Sequence, residues 1–262
     1  KARMKKALPL ANGIALVITI FVNYLSNTGV FNGKTIAEVS KKYPALFTPA
    51  DYAFAIWGLI YLGLLAFVFY QGRSLLKNPE AVALVQRIGG WFILSCLANS
   101  CWVLAWVYDL TGLSVLIMGV LFFSLLKIIQ RTDMELTDPP LRTIAFVWWP
   151  FCLYSGWISV ALLANVAAYL TKIKFNGWGI GEAGWAILLI AVAGALHLFM
   201  TWKRNMREFA LVGVWALVAI AVANREQAVP VAVAALVMAG VLFISSGIHG
   251  YRNRELGPFR RR

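Results

Sequence analysis

Long apolar runs separated by short polar clusters dominate the chain. They occupy approximately residues 8–27, 51–72, 87–108, 112–130, 141–171, 181–202, 208–224 and 229–250. A helix needs about 20 apolar residues to cross the hydrocarbon core of a bilayer, so the runs predict eight transmembrane helices. The fold class expected is all-α, a polytopic membrane bundle. The fifth run is long enough to hold a kink, and Pro150 supplies a cause because it lacks a backbone donor.

Composition supports the membrane reading: 61% of the 262 residues are hydrophobic, 13% are charged and the mean hydropathy is +0.74. Soluble domains run nearer to about 45–50% apolar and about 25% charged. The net charge of +13 does not make this a nucleic-acid binder, because the basic residues sit in clusters between spans. Alternate clusters are unequal. One side collects Lys1, Arg3, Lys5, Lys6, Arg73, Lys77, Arg87, Lys127, Arg131, Arg142, Lys203, Arg204, Arg207, Arg252, Arg254, Arg260, Arg261 and Arg262. The other has Lys34, Lys41, Lys42, Lys172, Lys174 and Arg225. This threefold bias predicts cytoplasmic N- and C-termini, in a bacterial inner membrane, and an even number of crossings. Anionic lipid headgroups are the expected partners of the basic clusters.

Lys1 to Lys6 and the apolar run after them resemble a secretory signal, but no small-x-small cleavage site follows Tyr24. An uncleaved first helix is expected. The three cysteines, Cys96, Cys101 and Cys152, lie inside apolar runs without metal or redox spacing, and read as small apolar residues. Residues 28–50 form a long connection with Gly29, Gly33, Pro44 and Pro49. Connections of this length are often functional lids. Residues 131–141 form a linker on the opposite side, and 172–181 a glycine-rich link before the last three spans.

No charged residue falls at the middle of a span, which disfavours a proton relay or ion pathway. Asp51, Asp109, Glu182 and Glu208 lie at helix ends, and three of these carboxylates suit helix N-termini. The spans hold Trp, Tyr and Asn instead. Trp91, Trp178, Trp185 and Trp202 suit the interfacial belt. Helical spacing places Ser95, Asn99, Trp102 and Trp106 on one face of the third span. It also places Phe54, Trp57 and Tyr61 with Leu65 and Val68 on the second, Pro150, Tyr154, Trp157, Ala161 and Asn165 on the fifth, and Asn12, Leu16, Thr19 and Asn23 on the first. Such faces either pack helices together or line an aromatic cavity for a flat hydrophobic ligand.

His197 and His249 are the only histidines. They are weak candidates for tetrapyrrole-metal ligation, and an interfacial hydrogen-bonding role is the preferred reading. No metal site is expected. No serine triad, zinc motif, phosphate-binding glycine loop or haem-attachment motif occurs, so no catalytic residue is assigned.

These residues resemble the tryptophan-rich sensory protein family, which includes the mitochondrial translocator protein (peripheral benzodiazepine receptor). Pro49, Trp57 and Tyr61 keep the family's spacing in the second span, as do Asn99 and Trp102 in the third and Trp157 and Asn165 in the fifth. Thr48 replaces the first of the family's paired prolines, Phe54 is shifted by one position, and Pro150 stands farther from Trp157 than is usual. The chain looks like a longer branch of about 260 residues. Residues 1–172 would be the five-helix core, and residues 173–262 an extension of three helices.

The resemblance implies a cavity beneath the loop between the first two spans, with Pro44 and Pro49 in the lid. Trp57, Tyr61, Asn99, Trp102, Trp106, Tyr154, Trp157 and Asn165 would line it. The implied ligand is planar and hydrophobic, a porphyrin or related tetrapyrrole, and the implied role that of sensor or transporter. Two other readings stay open. One is an assembly subunit of a larger, pigment-containing membrane complex or a homodimer, docking through small residues around Ala191 to Ala195 and Ala232 to Gly240. The other is a porphyrin-modifying membrane enzyme.

Overall fold

The computed structural model describes residues 2–76 and 78–253, with side chains from Ala7 onward. Lys1, Arg3, Lys5, Lys6, Lys77, Arg254, Arg260, Arg261 and Arg262 of the charge count lie outside the described residues or side chains. The described chain is helical and contains no strand. Helix α1 is Ala2–Ser26, α2 is Ile36–Lys42, α3 is Ile56–Gly72, α4 is Pro79–Ile88 and α5 is Trp91–Val107. They are followed by α6, Thr111–Arg131, the short α7, Leu141–Thr143, and α8, Trp149–Lys172. The last three are α9, Gly181–Arg204, α10, Arg207–Asn224, and α11, Val229–Arg252.

Among the described residues, seven helical segments are long and apolar enough to cross a membrane, and α4 with α5 makes an eighth if that pair is one span bent by 52°. The bend has a local cause. Gly89 adopts φ 60° and ends α4, a conformation open to glycine at little cost, and α5 starts two residues later. Asn78 caps α4 by accepting from the Ala81 amide at 3.1 Å, with Pro79 in the first turn. In the fifth span the expected irregularity is a π turn at Ile144–Trp148, immediately before Pro150. Proline leaves the carbonyl four residues earlier without its helical donor, and a wider turn accommodates the loss.

The helices form two compact units. The first contains residues up to Lys42, Gly58–Met134 and Thr143–Phe151; the second contains Tyr43–Trp57, Glu135–Arg142 and residues from Cys152 onward. Residues 43–57 and 152–172 thus pack with the last three helices.

Polar bonds between helices organise the first unit. Asn12 Nδ2 donates to Gln71 Oε1 at 2.8 Å, Thr19 Oγ1 to the Cys96 carbonyl at 3.0 Å, and Asn23 Nδ2 to Asn99 Oδ1 at 2.7 Å. With buried Leu16 they form one face of α1. Each such bond between membrane helices contributes about 0.6 kcal/mol, and at most about 1.7. Phe67, Phe92 and Phe151 meet edge to face, with ring centroids 5.0 to 5.9 Å apart. Gly63 lets α3 approach Pro150, whose Cβ would stand 3.2 Å from a Cβ added there.

Close approach of backbones organises the second unit. A Cβ at Gly156 would come within 3.0 Å of the Phe209 carbonyl oxygen, and one at Gly213 within 2.5 Å of the His197 ring. Gly194 faces Met238, and Ala193, Ala232, Ala235 and Ala239 are buried. Much of the small-residue stripe expected to dock a partner therefore serves packing within the chain.

Candidate functional site

The long loop is held in two ways. Its first half belongs to the first unit, where Thr35 and Glu38 form a capping box at α2. The Thr35 amide donates to Glu38 Oε2 at 2.7 Å, and the Glu38 amide donates to Thr35 Oγ1 at 3.2 Å. The Thr35 backbone bond is the main cause holding the Glu38 carboxyl below its ordinary pKa. Trp106 Nε1 donates to the Ile36 carbonyl at 3.1 Å, Asn32 Nδ2 to the Val107 carbonyl at 3.0 Å, and Lys42 pairs with Asp109.

The second half belongs to the second unit and is fastened to α10. The Ala50 amide donates to the Ala219 carbonyl at 3.1 Å, Asn224 Nδ2 to the Leu46 carbonyl at 2.8 Å, and Trp215 Nε1 to the Ala53 carbonyl at 3.1 Å. Tyr52 meets the Trp215 ring edge to face at 5.4 Å. A loop without regular structure needs such partners for its backbone groups. One structural role of the last three helices is thereby visible: α10 holds residues 46–53 in place.

Against that segment lies a cavity of about 470 Å³, lined by Pro44–Phe47, the end of α8 and the start of α9. This falls within the range of about 300–1,000 Å³ usual for small-molecule sites. Phe175 and Trp185 supply aromatic walls, and Lys174 and Glu182 supply charge. The Trp185 ring stands 5.5 Å from Phe175, and its Nε1 donates to the Gly177 carbonyl at 2.9 Å. Lys174 and Trp178 adopt φ 50° and 49°, while Gly177 has φ 69°. Two non-glycine residues in the left-handed region within five positions make this link a strained segment, of the kind that collects at binding sites. Lys172 places its Nζ 5.5 Å from the centre of the Tyr43 ring.

The residues expected to line a cavity fall into two groups. Tyr61, Asn99, Trp102 and Trp106 belong to the first unit, and Trp57, Tyr154, Trp157 and Asn165 to the second. In the first group Trp102 stacks on Trp106 with centroids 6.1 Å apart, Trp106 tethers the loop, and Asn99 accepts from Asn23. In the second group Trp57 meets Tyr154 at 5.9 Å, and Trp157 meets Phe54 at 5.6 Å. Trp157 is buried, and its indole N–H has no acceptor. Asn165 is buried farther along α8. Of the expected residues only Pro44 lines the 470 Å³ cavity. Leu46, Phe47, Lys174, Trp185, Trp215 and Asn224 were not distinguishable from interfacial or packing residues by spacing.

The two histidines are built into packing. His197 is buried, its Nδ1 donates to the Ala193 carbonyl at 2.8 Å, and its ring lies 4.7 Å from Phe209. His249 Nε2 lies 3.1 Å from Asn205 Oδ1 and 3.0 Å from Asn253 Nδ2. Cys96 and Cys152 are buried, Cys101 is exposed, and all three are free thiols.

No curated protein and no solved structure matches this chain. A family model described as TSPO-like protein does match, over residues 9–248. The match continues through the three last helices as well as the first five, and the chain belongs to the TSPO-like protein family of integral membrane proteins.

Proposed function

We propose that this protein binds a planar hydrophobic ligand of the porphyrin or tetrapyrrole class, acting as a sensor or transporter. The cavity against Pro44–Phe47 is the observation that carries this reading. Its aromatic walls, Phe175 and Trp185, offer faces to a flat ring, and Lys174 offers a cation to an acidic substituent. Trp57 on α3 and Tyr154, Trp157 and Asn165 on α8 lie outside this cavity and would form a second ligand-facing surface, with the buried Trp157 N–H as a donor for a ring substituent. The lid segment tied to α10 sets access. The loop side is the outer side of a bacterial inner membrane, with both termini cytoplasmic. This orientation rests on the basic residues of the connections.

Titration of detergent-purified protein with protoporphyrin IX, followed by tryptophan quenching and the shift of the porphyrin absorption band, tests the reading. Saturable binding is expected, with Lys174→Ala weakening it about tenfold and removing most of its salt dependence. Linear, unsaturable quenching would show that no site exists.

A further inference from the structure

A second constellation in the same unit shares no residue with the cavity. Glu135 comes from the linker between α6 and α7, Cys152 from the first turn of α8, and Glu208 from the first turn of α10. One carboxylate oxygen from each glutamate and the Cys152 sulfur all lie within 4.8 Å of one another. Cys152 is fully buried, and its thiol faces the two carboxyl groups. Glu135 Oε1 and Glu208 Oε2 are buried oxygens with no donor.

The linker is held in place for this contact. Glu135 adopts φ 62°, and its carbonyl accepts from Asn205 Nδ2 at 3.0 Å. Asn205, itself at φ 59°, ends α9. Two carboxylates this close, with no donor to either buried oxygen, repel unless a proton or a cation lies between them. A thiolate and two carboxylates would carry three negative charges. Arg207 and one divalent ion would neutralise them, whereas a monovalent ion would not.

We propose that Glu135, Cys152 and Glu208 bind a divalent transition-metal ion of the zinc type. Sulfur with two carboxylate oxygens suits a four-coordinate borderline ion with one position left to water. Calcium and magnesium, which take six or more oxygen ligands, are poorly served by a thiol. Binding displaces the thiol proton and any proton shared by the carboxyl groups, so affinity rises with pH.

The test uses full-length, untagged protein in a Cys96→Ala/Cys101→Ala background, so that Cys152 is the single thiol. Cobalt(II) is the probe. One ion per chain is expected, with a sulfur-to-cobalt charge-transfer band, visible bands of tetrahedral intensity, and displacement by zinc. Cys152→Ser removes the charge-transfer band, and Glu208→Gln weakens binding at least tenfold. If cobalt is not retained, or if the band survives Cys152→Ser, the site does not exist and the two carboxyl groups share only a proton. Should Cys152→Ser fail to fold, the presence or absence of the band in the single-thiol background decides alone.

Discussion

The two compact units solve the same problem by different chemistry. In a membrane, lipid tails are as apolar as leucine, and helices associate through packing and interhelical hydrogen bonds. The first unit relies on bonds of a few named pairs: Asn12 with Gln71, Thr19 with the Cys96 carbonyl, Asn23 with Asn99. The second relies on glycines that bring backbones close, at Gly156, Gly194 and Gly213. It also holds the cavity, the strained link at 174–178 and most of the buried polar atoms without partners, including those of Trp157, Glu135 and Glu208. Unsatisfied buried groups cost about 1–3 kcal/mol each. Their concentration in the second unit is a stability cost that the proposed binding chemistry would account for.

The contrast can be broken most severely at Gly156. Gly156→Leu drives a side chain into the Phe209 backbone, which cannot rotate away. A loss of about 3 kcal/mol or outright misassembly is expected, read by the thermal unfolding midpoint in detergent. A smaller effect is expected in the first unit. Asn23→Leu and Asn99→Leu should each cost about 1 kcal/mol, and the double variant should cost clearly less than their sum. Strict additivity would mean that the Asn pair does not hold α1 to α5.

The third prediction concerns pH. Glu135 has a folded pKa of about 8 against an ordinary value of 4.5, so the folded state retains a proton that the unfolded state releases. Its contribution is fully present below pH 4.5 and is lost as pH rises to about 8. The unfolding midpoint of metal-free protein should fall across this window, and Glu135→Gln should flatten that part of the curve. The smallest effect belongs to Lys42→Ala. Its pairing with Asp109 is partly exposed, so the loss should stay below about 1 kcal/mol and fade with salt.

Periodicity made much of the fold readable. The α1 face through Asn12, Leu16, Thr19 and Asn23 and the α5 face through Ser95, Asn99, Trp102 and Trp106 are both turned inward. In α3 the expected face through Trp57, Tyr61, Leu65 and Val68 is half-buried. Residues Asp51–Ala55 form a 3-10 turn, so counting helical spacing from Phe54 starts outside the α-helix. The buried stripe is Ile60, Leu64, Phe67 and Gln71, and Trp57 and Tyr61 stand half-buried beside it. The break between α4 and α5 was written in Gly89-Gly90 but hidden by the apolar residues on both sides. The bonds of Ala50 to Ala219 and of Leu46 to Asn224, and the Glu135, Cys152 and Glu208 constellation, join segments too distant in the chain for any local spacing to reveal.

A paired titration with protoporphyrin IX tests most directly whether the second unit is the binding unit. Dissociation constants would be compared for the wild type, Trp185→Ala and Trp102→Ala, each checked for an unchanged elution volume. Binding in the cavity predicts at least a tenfold weakening for Trp185→Ala and less than a twofold change for Trp102→Ala. The reverse order, or equal affinity in all three, would contradict it.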